Sequence, residues 1–179
     1  MSFAITLLAE RLMKFLYSSE FHPAAAALQI LVWAELFIFM NYLMGYMLNA
    51  IDKQKLFTIS TAIYAAVNII LNLLLIPKFG YKGAAAVALT TQFLQAATLY
   101  YFCSRNGYKL DLLKLAYKPT IAAAAMGIAI MLLNPLHLLM IAPIAALAYL
   151  IVLAALKGLT KEDLTIVKGL LARLTKRNF

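Results

Sequence analysis

TAIYAAVNIILNLLLIPKFGYKGAAAVALTTQFLQAATLYY, residues 61–101, is two apolar blocks joined by a short basic turn that contains glycine. Residues 56–76 carry no charge over 21 positions, and residues 83–103 carry none over another 21. At 1.5 Å per residue, about 20 such residues cross the hydrocarbon core of a bilayer, so each block is long enough to span. The spacing predicts a transmembrane helical hairpin. Pro77 is expected to end the first helix, with Gly80 and Gly83 bracketing the turn. Lys78 and Lys82, beside Phe79 and Tyr81, would reach the headgroups and place the turn at the interface.

Composition agrees with this reading. Of the 179 residues, 65% are hydrophobic and only 13% charged, values unsuited to a water-soluble domain of this size. The expected fold is all-α, an integral membrane bundle of about five transmembrane helices with a partial N-terminal helix and a C-terminal amphipathic helix. Cys103 is the only cysteine and His22 and His137 the only histidines, so neither a disulfide nor a metal-ligand spacing exists within the chain. No cofactor is expected. A Ser/His/Asp set and a phosphate-binding loop are likewise missing, which argues against an enzyme.

Working outward, residues 24–50 offer a long apolar helix with one charge, Glu35, near its middle, and Gly45 as a bend or close-packing point. Residues 1–23 are apolar but interrupted by Glu10, Arg11 and Lys14, which suits a partial or interfacial helix in which Glu10 and Lys14, four apart, can pair. Downstream, the polar connection 105–118 leads to spans over 116–133 and 138–156, separated by Asn134 and Pro135. The transmembrane domain is thus 24–156, with spans at 24–50, 56–76, 83–103, 116–133 and 138–156. Residues 157–179 read as an amphipathic helix, Leu164, Val167, Leu170, Leu171 and Leu174 opposite a basic face, lying on an anionic leaflet.

Polar groups at membrane depth are the candidate functional residues. An ionised carboxylate there is costly, so Glu35 must be paired, wetted or protonated; it is either an exchangeable coupling site or a hydrogen-bonding partner of a neighbouring helix. Asn68 and Asn72 share a helix face, as do Thr91 and Gln95, with Gln92 adjacent; Asn41 and Gln29 could extend the lining on the Glu35 helix. A polar stripe in lipid must face protein or water. Lining of a cavity and hydrogen bonding between helices are both open for Asn41, Asn68, Asn72, Thr91, Gln92 and Gln95.

The sixteen Lys and Arg residues fall into two sets across these spans. Arg11, Lys14, Lys78 and Lys82 lie on one side, and the other twelve on the opposite side. The positive-inside rule puts the larger set in the cytoplasm, with the Pro77 turn outside. This bias and anionic headgroups account for the net charge of +9, so nucleic acid is not an expected partner.

Residues 68–91, NIILNLLLIPKFGYKGAAAVALTT, resemble the Asn-rich helix, Ile-Pro-x-x-Gly turn and Gly-Ala-Ala helix start of polysaccharide flippases, within the multidrug/oligosaccharidyl-lipid/polysaccharide exporter superfamily. The preceding run 28–55, LQILVWAELFIFMNYLMGYMLNAIDKQK, is similar to the helix before that hairpin. The resemblance covers residues 15–159. Members of that family are much longer and have two helical lobes, so the chain resembles the C-terminal part of one. The resemblance implies export of lipid-linked oligosaccharide across the cytoplasmic membrane, with the lipid bilayer, a lipid-linked sugar and a further lobe or second subunit as partners. Two other function classes remain: a proton- or cation-coupled antiporter using Glu35, and a non-transporting membrane subunit. On the charge distribution, a reporter fused to the C-terminus is expected to be active only in the form that works in the cytoplasm; activity of an extracytoplasmic reporter there would reverse the topology.

Overall fold

In a computed structural model, residues 2–17, 19–109, 111–133 and 138–156 are described, and among them the regular structure is helical throughout. The chain divides into two units, Met1–Asp111 and Leu112–Phe179. The first holds α1 (Ser2–Leu16), a short 3-10 turn (Ser19–Ala24) that contains Pro23, α2 (Ala25–Ala50) and α3 (Gln54–Arg105). The second holds α4 (Leu112–Leu132) and α5 (Leu138–Ala155).

α3 is a hairpin. Its helical hydrogen bonding is cut at Gly80, whose φ of 57° and ψ of −144° lie where only glycine is at ease. Residues 54–79 and 81–105 therefore form two arms, and side-chain bonds between residues 64 and 98 and between 68 and 91 show them running antiparallel. The chain reverses at Gly80 and not at Pro77, which sits inside the first arm. Pro77 removes the N–H that would bond the Leu73 carbonyl and crowds that carbonyl with its ring, a local weakening that does not end the arm. Gly83 then lets the arms close: a Cβ there would lie 2.9 Å from the Leu75 carbonyl oxygen and 3.0 Å from the Phe79 Cβ.

α2 packs along this hairpin through Met44 and Leu48 against Ala96, Leu99 and Cys103, with Phe37, Ile51, Leu56 and Phe102 among the flanking side chains. The Phe57 ring lies over Gly45, where a Cβ would meet it at 2.7 Å, so Gly45 serves as a close-packing point. Two C-terminal caps of the same kind close this end of the unit. After α2, Asp52 at φ 56° lets Lys53 N–H reach the Leu48 carbonyl (2.8 Å) and Asp52 N–H the Asn49 carbonyl (3.1 Å). After α3, Gly107 at φ 90° lets Tyr108 N–H reach Cys103 (3.0 Å) and Gly107 N–H reach Ser104 (3.2 Å). Both are Schellman motifs, which satisfy terminal carbonyls that would otherwise be orphaned.

α1 buries Leu8 and Ala9, and the Gln29 amide of α2 donates to the Thr6 carbonyl at 3.1 Å. Gln29 is thereby tied to α1. Glu10 and Lys14 are both exposed, and the pair that their spacing allows is not formed. In the second unit, Ala122, Met126 and Ile130 of α4 and Ile141 and Ala145 of α5 are the buried side chains. α4 begins four residues before the expected start, and Pro119 lies within it. The expected amphipathic tail, residues 157–179, lies outside the described residues, as do Asn134 and Pro135.

Beside the Met44, Leu48 and Leu99 core, much of what is buried is small or polar, and much of what is exposed is large and apolar. Ala34, Gly45, Ala85, Ala96, Asn41, Ser60, Thr91 and Gln95 are inside, whereas Phe39, Ile69, Ile70, Leu73 and Leu74 are outside. Water disfavours such a surface and hydrocarbon matches it, while small residues inside let helix backbones approach. α2 and α3 are the two described helices long and apolar enough to cross a membrane, and residues 54–79 alone extend about 39 Å.

The two turn glycines act through different physics. Gly80→Ala has open space around it but an unfavourable backbone, a cost of about 1–3 kcal/mol. Gly83→Ala has ordinary backbone angles but collides with main chain, a cost of about 1–3 kcal/mol. Both variants are expected to lower the thermal midpoint followed by circular dichroism in detergent; an unchanged midpoint in either contradicts the reversal described.

Candidate functional site: a polar seam between α2 and the α3 hairpin

The candidate site grows out of the hairpin's antiparallel register. On the first arm, Thr61, Tyr64, Asn68 and Asn72 recur at three- and four-residue intervals and so share a face. Thr91, Gln95 and Thr98 do the same on the second. The two faces meet: Gln95 Nε2 donates to Thr61 Oγ1 (3.1 Å), the Tyr64 and Thr98 hydroxyls lie 2.7 Å apart, and Asn68 Nδ2 donates to Thr91 Oγ1 (2.9 Å). Asn72 Nδ2 extends the chain by donating to Asn68 Oδ1 at 2.9 Å. Thr91 itself donates to the Val87 carbonyl at 2.8 Å, so its hydroxyl both accepts and donates.

α2 joins the seam at one point. Asn41 Nδ2 donates to Gln92 Oε1 at 2.7 Å and to the Gln92 carbonyl at 3.3 Å. Asn41 is only 5% exposed, and Thr91 and Gln95 are similarly buried. Among the described residues, three buried oxygens lack partners: Asn41 Oδ1, Asn72 Oδ1 and Ser60 Oγ. Five of the seven residues expected from sequence thus lie in bonded pairs on facing helices, and Asn72 bonds Asn68 on its own arm. Thr61, Tyr64 and Thr98, which were not among the expected residues, complete the set, and 61, 64, 68 and 72 continue one helical stripe.

Glu35 stands apart. It is six residues before Asn41, about 120° around the helix, on the exposed face of α2, and makes no hydrogen bond or ion pair with another described residue. The structure therefore does not bring it to the amides. Among the described residues, no three His, Cys, Asp or Glu side chains gather as a metal site would require.

Among curated proteins, the chain is 37% identical over 79 residues to an uncharacterized membrane protein of Methanocaldococcus jannaschii, a match spanning 44% of this chain and 16% of that protein. It is 34% identical over 83 residues to a "probable low-salt glycan biosynthesis flippase" of Haloferax volcanii, spanning 46% of this chain and 18% of the relative. The matches thus span under a fifth of each relative's length. No protein-family model and no solved structure matches the chain. These partial similarities support a membrane location and, loosely, a flippase-like kinship.

Asn68 makes two seam bonds and Asn72 one, with an oxygen already unpartnered. Interhelical bonds in membranes contribute about 0.6–2 kcal/mol each. Asn68→Leu is therefore expected to destabilise more than Asn72→Leu in detergent unfolding titrations; the reverse order contradicts the seam.

Proposed function

We propose that the chain is the C-terminal part of a membrane transporter that moves lipid-linked saccharides across the cytoplasmic membrane. The observation that carries this reading is the partial similarity to the glycan biosynthesis flippase. The apolar exterior of α2 and α3 supports a multi-pass bundle, with the C-terminus in the cytoplasm and the Gly80 tip outside. A further helical lobe, in the same polypeptide or a second subunit, would complete the transporter.

Within this reading the seam is scaffold. Its amides and hydroxyls are mostly engaged with one another, which leaves few hydrogen-bonding groups for a substrate and favours a rigid hairpin with α2 fixed to it at mid-height. Glu35 supports a second reading, an antiporter that exchanges a proton for a cationic substrate. An unpaired carboxylate on a membrane-length helix is the group such exchange needs.

Leaflet distribution of lipid-linked saccharide separates the two. In cells lacking this chain, labelled lipid-linked saccharide is expected to accumulate in the inner leaflet and glycan on the outer surface to fall, with restoration by the intact gene. An unaltered leaflet distribution, together with lost efflux of amphipathic cations, would instead favour the antiporter.

A further inference from the structure

Apart from Trp33, the large exposed side chains of α2 fall into two strips. On the first stand Leu31, Glu35, Phe39, Tyr42, Tyr46 and Asn49, spaced so that all project within about 40° of one direction. Tyr42 is 58% and Tyr46 72% exposed. Roughly 90° around the helix, Leu36 and Leu43 form the second strip, which is purely apolar. Lipid is a sufficient neighbour for Leu36 and Leu43. It is a poor one for a carboxylate, two phenols and an amide, none of whose side chains bonds another described residue.

We propose that the Glu35–Tyr42–Tyr46–Asn49 strip lines a water-filled passage and binds the carbohydrate of a lipid-linked saccharide, an inference that rests on the transport reading above. A pyranose ring offers an apolar C–H face, which packs on a phenol ring, and hydroxyls, which donate to a carboxylate and exchange hydrogen bonds with an amide. Tyr42 and Tyr46, one turn apart, present two rings in succession; Glu35 and Asn49 supply the polar ends. The strip extends about 21 Å from Asn49 to Glu35. It begins beside a basic end of the unit: Lys53 and Lys55 follow directly, and Ile51, Leu56 and Phe102, which all flank the one buried cluster, bring Arg105 and Lys109 toward the same end. The anionic diphosphate of such a lipid is complementary to that end, and the sugars attached to it would extend along the strip. Tyr46 alone would suit an aromatic belt at headgroup level, but Tyr42 lies eight residues, about 12 Å, inside the end of α2 and about 6 Å deeper than Tyr46.

Accessibility and protection test this together. In membranes carrying the full chain, single cysteines replacing Tyr42, Tyr46, Leu36 and Leu43 are treated with a charged, membrane-impermeant thiol reagent. The unmodified chain, whose buried Cys103 is its only cysteine, reports background. Tyr42→Cys and Tyr46→Cys are expected to label and Leu36→Cys and Leu43→Cys to stay unlabelled. A polyprenyl diphosphate disaccharide should slow the first two by about tenfold, the equivalent of one aromatic stacking contact, and the same diphosphate without sugar should not. Equal labelling of all four positions, or of none, overturns the passage. Labelling unaffected by the glycosylated probe, or slowed equally by the bare diphosphate, overturns carbohydrate binding. Tyr42→Ala and Tyr46→Ala chains that restore normal leaflet distribution overturn the strip and leave the transport reading intact, whereas a protected strip with no leaflet defect in cells lacking the chain overturns transport alone.

Discussion

An amide or hydroxyl in hydrocarbon has no water to bond, so its partners must come from the protein. In this chain that constraint fixes the register of the α3 arms. Asn68 meets Thr91 and Gln95 meets Thr61 only if the reversal falls where it does, at Gly80. Shifting one arm by a residue would turn its polar side chains about 100° away from their partners, toward lipid. Apolar contacts exert no comparable pull, because Leu against Leu and Leu against an acyl chain are nearly equivalent.

Close approach of backbones supplies the rest. Gly45 under the Phe57 ring, Gly83 against the Leu75 carbonyl, and Ala96 beside Met44 and Leu48 bring surfaces within dispersion range where hydrophobic burial contributes little. The Schellman caps at Asp52 and Gly107 also fit this pattern, since carbonyls at a helix end near the membrane need intramolecular donors as much as the side chains do.

The hairpin was readable in the sequence because two uncharged 21-residue blocks around a Gly-containing turn leave few alternatives. Asn68, Asn72, Thr91 and Gln95 were readable as a stripe for the same reason that they bond: their spacing matches the helical period. The position of the reversal was less legible. Pro77 marks where a helix becomes weak, whereas the turn follows the residue able to adopt a positive φ, Gly80. α4 starts at Leu112, ahead of the span read from residue 116, because a turn bearing Lys114 is tolerated at the end of an apolar helix. The side on which Glu35 projects was the least legible, since apolar residues surround α2 almost evenly and sequence alone does not say which of them meets the hairpin.

The bonded pairs of the seam differ in their distance along the chain, and this bears on how the molecule is assembled. Asn68 and Thr91 are 23 residues apart, Tyr64 and Thr98 34, and Asn41 and Gln92 51. A first arm entering the bilayer by itself would carry two amides with only each other as side-chain partners. In a hairpin that crosses the bilayer, as the proposed function requires, Thr91 becomes available only when the second arm follows, so insertion of the two arms would be thermodynamically coupled, each lowering the cost of the other. α2, synthesised earlier, holds Asn41 in reserve until Gln92 emerges. During synthesis, the protein thus passes through a stage in which its most polar helix faces are unmatched, and the arrival of residues 91–98 ends it.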